Sequence, residues 1–324
     1  MMPQRQRGTA LLTVLVLTAI IATLAVGMTE VMNRSLRRAT ASELRDQAFW
    51  AMSGLEAAAV DYLRREAGNI DIPAAPLFQE PVVLPFEGGS ASISFSERSN
   101  CFNVNDLLSQ GEDGEWVADQ AAAERFAGLV EALGGTRTGG LQLAARISDF
   151  MDTDEQPSAG GWDDYDYRRR PVPYRTTRGF LASISELRAI SGYSRDVYRQ
   201  LVPYLCTLPT DGAQLLNVNT LTIEDAPLLK AAAGDAMTLS AAVRLIDGRT
   251  PQGYSDVSAF VEQPLLAGAD LPADFSTLLT TTSEHVEMEI ILDAPVGRLR
   301  QVSRVYRPGG TPRVVERVLG ERLP

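Results

Sequence analysis

With one histidine, His285, and two cysteines, Cys101 and Cys206, in 324 residues, the chain holds few of the side chains from which active sites are made. Ser-His-Asp or Cys-His catalysis would rest on that single imidazole, which falls in a predicted strand and reads as a surface residue. Two cysteines far apart cannot make a zinc site with one histidine. Gly-x-Ser-x-Gly, phosphate-loop and dinucleotide-binding glycine patterns are absent. Asp and Glu number 41, yet no two of them stand out as an acid and base pair. Positive charge is in deficit, and a net charge of -11 repels phosphate backbones, which argues against a nucleic-acid partner. These absences point away from an enzyme.

Charge of either sign is missing from residues 9–28, TALLTVLVLTAIIATLAVGM. A helix of that length rises about 30 Å, the thickness of a bilayer core. The short segment before it carries Arg5 and Arg7 and no acid, so the positive-inside rule leaves the N-terminus cytoplasmic and the bulk of the chain periplasmic. A secretory signal would be shorter and would end in a small-x-small cleavage site. Here proline is absent from residue 29 to about 66 instead, and Val31, Phe49, Met52, Leu55, Ala58, Val60 and Leu63 recur at helical spacing among polar residues. The helix is therefore predicted to leave the membrane as one rod of about 85–90 Å, with Gly27 and Gly54 as soft points. Both cysteines fall on the periplasmic side, where a Cys101–Cys206 disulfide is permitted; two buried thiols are the alternative, and spacing alone gives no distance.

Beyond the rod, residues 69–75 read as a proline-punctuated loop. Residues 81–96 alternate around Glu87-Gly-Gly89 as a hairpin, with Ala91, Ile93 and Phe95 on one face to be buried against the rod. Asn103-Val-Asn105 opens a helical stretch, with Asn105 as its predicted N-cap, and 118–133 and 140–151 carry apolar residues at three-four spacing. Asn217-Val-Asn219 repeats the device before short helices over 223–233, 239–246 and 257–262. Residues 284–293, 299–307 and 311–318 alternate again, with Pro308-Gly-Gly310 as a turn, predicting an antiparallel meander that closes the sheet begun near residue 81. The densest group of ligands is Asp149, Asp152, Asp154, Glu155, Asp163, Asp164 and Asp166, seven carboxylates within 18 residues. Hard oxygens in that number suit calcium. A solvated loop answered by Arg168, Arg169 and Arg170 is the plain alternative.

A basic leader ending in Gly8, an uncharged run after it and an amphipathic continuation resemble the type IV prepilin signal. Cys101-Phe-Asn-Val-Asn-Asp-Leu-Leu108, its echo Leu215-Leu-Asn-Val-Asn-Thr220, Ile147-Ser-Asp-Phe-Met-Asp-Thr-Asp-Glu-Gln-Pro157, Gly160-Gly-Trp-Asp-Asp-Tyr-Asp-Tyr167 and Ile184-Ser-Glu-Leu187 stand in the order seen in K-type minor pseudopilins of the bacterial type II secretion system. The resemblance spans nearly the whole chain. It implies cleavage by a prepilin peptidase between Gly8 and Thr9 and methylation of Thr9. Most pilins carry a glutamate where Thr13 stands; its loss marks the K-type subunit, placed at the filament tip, because a subunit with no neighbour beyond it has no terminal amine to neutralise.

The implied fold is α+β and type IV pilin-like, with a long N-terminal helix, an antiparallel sheet and a large inserted α-helical domain. The expected division is leader 1–8, transmembrane half-helix 9–28, periplasmic half-helix 29–67, first part of the pilin-like domain 68–117, helical insertion 118–210, and helical segment plus closing strands 211–324. The implied partners are the I- and J-type minor pseudopilins, the major pseudopilin, the prepilin peptidase and exported proteins, with the inner membrane holding the chain before assembly and the pseudopilus tip after it. Structural calcium is expected on Asp152, Asp154, Asp163, Asp164 and Asp166. Two other readings compete: a helix-hairpin-helix-like nucleic-acid binder, suggested by the Asn217 segment, and a signal-anchored periplasmic protein.

Overall fold

The computed structural model describes residues 5–320 apart from 67, 87–88, 112, 155, 209–214 and 295–296, and Glu87 and Gly88 of the turn, Glu155 of the acidic loop and the first half of the leader lie outside them. One helix, α1 (Arg5–Arg65), runs unbroken through Gly27 and Gly54, about 90 Å of rod. Its first half is apolar and exposed, and by length and composition it can cross a membrane. Its second half buries Ala48, Met52, Glu56, Ala59 and Leu63, a stripe at three-four spacing. Phe49, Val31 and Ala58, expected on that stripe, are exposed; a 3.6-residue period leaves the stripe's rotation open until a partner surface is chosen.

Next come β1 (Val82–Phe86), β2 (Gly89–Glu97), β3 (Phe102–Asn103), β4 (Leu108–Gln110), β5 (Trp116–Ala118), α2 (Gln120–Ala132), α3 (Arg137–Met151), α4 (Asp164–Arg168) and α5 (Arg195–Leu201). The chain continues through β6 (Leu205–Cys206), β7 (Leu216–Asn217), α6 (Ala226–Ala233), α7 (Leu239–Asp247), α8 (Val257–Val261) and β8 (Leu279–Thr280). It ends in β9 (His285–Ala294), β10 (Gly297–Tyr306) and β11 (Arg313–Leu319).

The strands form an antiparallel sheet in the order β1-β2-β9-β10-β11, so β2 and β9 pair across the whole helical segment between them. Alternation puts Ala91, Ile93 and Phe95 of β2, Val286, Met288, Ile290 and Leu292 of β9, and Val305 of β10 on one face, closed by the rod together with Ile70 and Leu77. That is the smaller core. The larger is helical and contains residues from Val104 to Leu279. It crosses the boundary expected at 210: α6 packs on α2 and α7 on α6, and residues of α6, α7 and α8 belong to this core rather than to the one under the sheet. The reason is steric. A Cβ on Gly140 would stand 2.6 Å from Ala127 Cα, so α3 lies close on α2, and one on Gly128 would stand 3.6 Å from Ala231 Cα, so α6 lies on the other side of α2. Small residues at these crossings let three helices share one interior.

The segment repeats itself. Parallel pairs β3–β6 and β7–β8 open and close each half, and each opens on an Asn-Val-Asn corner. Asn105 is not a helix cap. Asn103 caps the 3-10 turn Val104–Leu107 by accepting from Asn105 N–H, and α2 begins on Asp119. Asn105 instead reaches across to Leu181, accepting its N–H at 2.9 Å and donating to its carbonyl at 3.0 Å. Asn219 treats Tyr254 in the same way, at 2.7 and 3.0 Å.

Candidate functional sites on the rod and in the acidic loop

Position 13 lies on the exposed apolar half of α1, and the Thr13 hydroxyl donates back to the Ala10 carbonyl at 2.9 Å. Thr18, Thr23 and Thr29 do the same within one turn. Each of these four hydroxyls is thus satisfied by its own helix, which is what an apolar surrounding requires. A carboxylate at 13 could not fold back in this way, since it offers only acceptors to a carbonyl.

Higher on the rod the stripe contains a buried acid. Glu56 is 5% exposed and accepts two bonds from Arg317 Nε at 2.8 and 2.7 Å, one from Ser303 Oγ at 2.9 Å and one from Gln301 Nε2. Burial pushes its carboxyl up, but Arg317, Ser303 and Gln301 outweigh this and hold it below the usual carboxylate range. The clasp joins α1 to β10 and β11 and sets the register of the rod on the sheet. Sequence reasoning passed over Glu56, although its spacing from Met52, Ala59 and Leu63 placed it on the stripe.

The two cysteines are bonded, Cα–Cα 5.8 Å, closing a separation of 105 residues between the exit of β2 and β6. His285 stacks on Tyr306 with ring centroids 4.8 Å apart. Asn217 and Asn219, the source of the nucleic-acid reading, are buried and engaged with Ser283 and Tyr254, so neither side chain faces a ligand.

The acidic loop divides. Two of its carboxyls are raised: burial first, then the charges of Asp154, Asp149 and Asp163, push the Asp152 carboxyl up to about 7. Asp149 is raised for the same reasons, its Oδ2 accepting from Ser158 N–H at 3.0 Å while Oδ1 is buried with no hydrogen-bond partner. The loop folds tightly over it, because a Cβ on Gly161 would fall 1.8 Å from Asp149 Oδ2. Asp164 and Asp166 do other work. Asp164 pairs with Arg168 at 3.1 Å and accepts from Thr176 N–H at 3.2 Å; Asp166 closes a capping box with Asp163 at the start of α4. Among the described residues, no three such side chains converge closely enough to hold a metal ion.

Sequence profiles of the family described as type II secretion system (T2SS), protein K match residues 100–210 and 216–282, one for each Asn-Val-Asn half. Type II secretion system protein K of Pectobacterium carotovorum subsp. carotovorum is 34% identical over 327 residues, covering 98% of both chains. The chain belongs to the protein K family. The protein K of Klebsiella pneumoniae is 33% identical, again over 98% of both chains. The fold is that of a chain in the crystal structure of the GspK-GspI-GspJ complex from the enterotoxigenic Escherichia coli Type 2 Secretion System, with a TM-score of 0.73 at 24% identity over 88% of this chain and 100% of that one. A protein K is a structural component of a protein-export machine, and the long rod, sheet and helical unit described above are the family's architecture.

Proposed function

We propose that this protein is the minor pseudopilin at the tip of the pseudopilus, anchored in the inner membrane by α1 until it starts filament assembly and supports the export of folded proteins. The observation that carries the reading is Thr13: the position that elsewhere demands a neighbour's amine is here a hydroxyl satisfied by Ala10 of its own helix. Pairing with I- and J-type subunits is supported by the neighbour of known structure, which was crystallised with GspI and GspJ. In this reading Gly8 and Thr9 flank the processing site, and Thr9 becomes the methylated N-terminus. The intact mass of the protein from membranes with and without prepilin peptidase tests it. The expected species begins at methylated Thr9 and appears only with the peptidase, Gly8→Lys stays uncut, and Thr13→Glu still assembles. A chain cut beyond Met28, or one left whole by an active peptidase, sinks the reading.

Structural calcium goes with this function. One observation supports it, the buried Asp149 Oδ1 with no partner beside three further acids; as the loop stands no three of these carboxylates converge on one point, so an ion would have to draw them together. Asp149, Asp152, Asp154 and Asp163 would hold the ion, and its charge would offset theirs and pin the loop. Calcium should raise the melting temperature and protect residues 152–163 from proteolysis, with both effects lost in Asp149→Asn. Equal protection in the wild type and the variant would remove Asp149 from the site.

A further inference from the structure

Residues 168–178 read Arg-Arg-Arg-Pro-Val-Pro-Tyr-Arg-Thr-Thr-Arg, five arginines and no acid in a chain of net charge -11. Two of the five are committed. Arg168 and Arg178 turn onto Asp164, at 3.1 and 4.0 Å, and Thr176 N–H donates to the same carboxylate, so Asp164 draws the ends of the segment together. The other three point outward. Arg169 lies over the Tyr165 ring at 5.1 Å and donates to its hydroxyl, and Arg170 lies over the Tyr174 ring at 5.4 Å and is bonded to its hydroxyl. Arg175 is exposed, with no acid beside it among the described residues. Between them Pro171, Val172 and Pro173 are exposed, Val172 to 78%.

The platform beneath is rigid. Tyr167 is fully buried, its ring 5.3 Å from Phe150, 5.8 Å from Trp162 and 5.4 Å from Tyr174, and its hydroxyl accepts from Ser191 N–H at 3.1 Å. Guanidinium groups backed by aromatic faces keep their outer N–H edges free for carboxylates and lose little freedom on binding. Two prolines remove the backbone donors that strand addition would need, so the segment offers side chains rather than a sheet edge.

We propose that Arg169, Arg170 and Arg175, with Val172 between them, form an interaction surface for a short acidic segment of another protein. Two observations select that partner. Val172 and its prolines need apolar atoms opposite them, which phosphates do not supply. The net charge of -11 repels an extended polyanionic surface, whereas a short segment senses only charges within the screening length of about 10 Å. The surface stands independently of where in the filament the protein sits.

The test is fluorescence anisotropy of the full chain in neutral detergent micelles with a labelled peptide, Glu-Asp-Leu-Pro-Glu-Leu-Asp-Glu, and its Gln/Asn counterpart. The acidic peptide should bind at least tenfold more tightly than the neutral one. The triple substitution Arg169→Gln, Arg170→Gln, Arg175→Gln should remove that margin with an unchanged circular dichroism melt, and the three Lys substitutions should restore only part of it. Val172→Ser should weaken binding severalfold without altering its salt dependence. Equal binding by the wild type and the Gln variant overturns the proposal. So does retention by phosphatidylglycerol vesicles with no binding of the peptide, which would make the surface a lipid contact.

Discussion

At the first Asn-Val-Asn corner, Asn105 clamps Leu181 across 76 residues, and at the second Asn219 clamps Tyr254 across 35. Both corners begin a parallel strand pair, and both lead to a helical hairpin, α2–α3 in one half and α6–α7 in the other. Only the first carries a disulfide, and only the first carries the long acidic and basic loop between its hairpin and its return. Loop length does not explain the disulfide: doubling a loop costs about 0.6 kcal/mol in closure entropy, whereas a crosslink over roughly 100 residues is worth up to about 4.7 kcal/mol. Its placement does. Cys101 stands just before β3, in the segment by which the chain leaves β2, and is bonded to Cys206 in β6, so the bond fastens the end of the first half to the point where the chain leaves the sheet. The second half is held by packing on the first, through α6 against α2, and needs no such bond.

The comparison is broken most severely by removing that bond. Cys101→Ser with Cys206→Ser should lower stability in urea by about 4 kcal/mol, and reduction of the wild type should match it. A loss under about 1 kcal/mol would mean that β3–β6 pairing alone secures the junction.

The two clamps should rank next and be nearly equal. Asn105→Ala and Asn219→Ala each strand one N–H and one carbonyl, at about 1–3 kcal/mol apiece, so each variant should lose about 3 kcal/mol in chemical denaturation. A difference above about 1.5 kcal/mol between them would show that the corners are alike in shape but not in load.

The smallest effect sharpens a feature of the second half. Burial raises the Asp225 carboxyl above its ordinary value, although Thr222 donates to it from both N–H and hydroxyl. A raised carboxyl favours the protonated folded state, so its contribution is lost as pH climbs from about 3.8 through the folded value. Asp225→Asn should therefore gain a few tenths of a kcal/mol relative to the wild type as pH rises to neutrality, seen in melts from pH 3 to 7. The Glu56 clasp runs the other way, since its lowered carboxyl stabilises the fold above pH 4.5 or so and ceases to as pH falls through the folded value.

Much of the architecture was legible because its signals are local. Twenty uncharged residues, the absence of proline from residue 29 to 66 and alternation in the strands each act within one element, and α1, the hairpin, the closing meander and most helices lie within a few residues of expectation. The acidic loop was legible as composition, but not how its carboxylates are divided among partners. Asp163 stands with Asp152 and Asp154, whereas Asp164 is taken by Arg168 and Thr176, and Asp166 by the capping box. Asp149 belongs with the repelling group because the loop folds over it.

The sequence by itself determined which segments are helix, strand and anchor, since propensity and periodicity are properties of neighbours along the chain. Tertiary structure alone decided which face of the rod is buried, so that Phe49 is exposed and Glu56 enclosed. It also joined residues 104–279 into one core across the expected boundary. These outcomes depend on what each surface meets: Glu56 can be buried because Arg317, 261 residues away, arrives to neutralise it, and no local pattern carries that information.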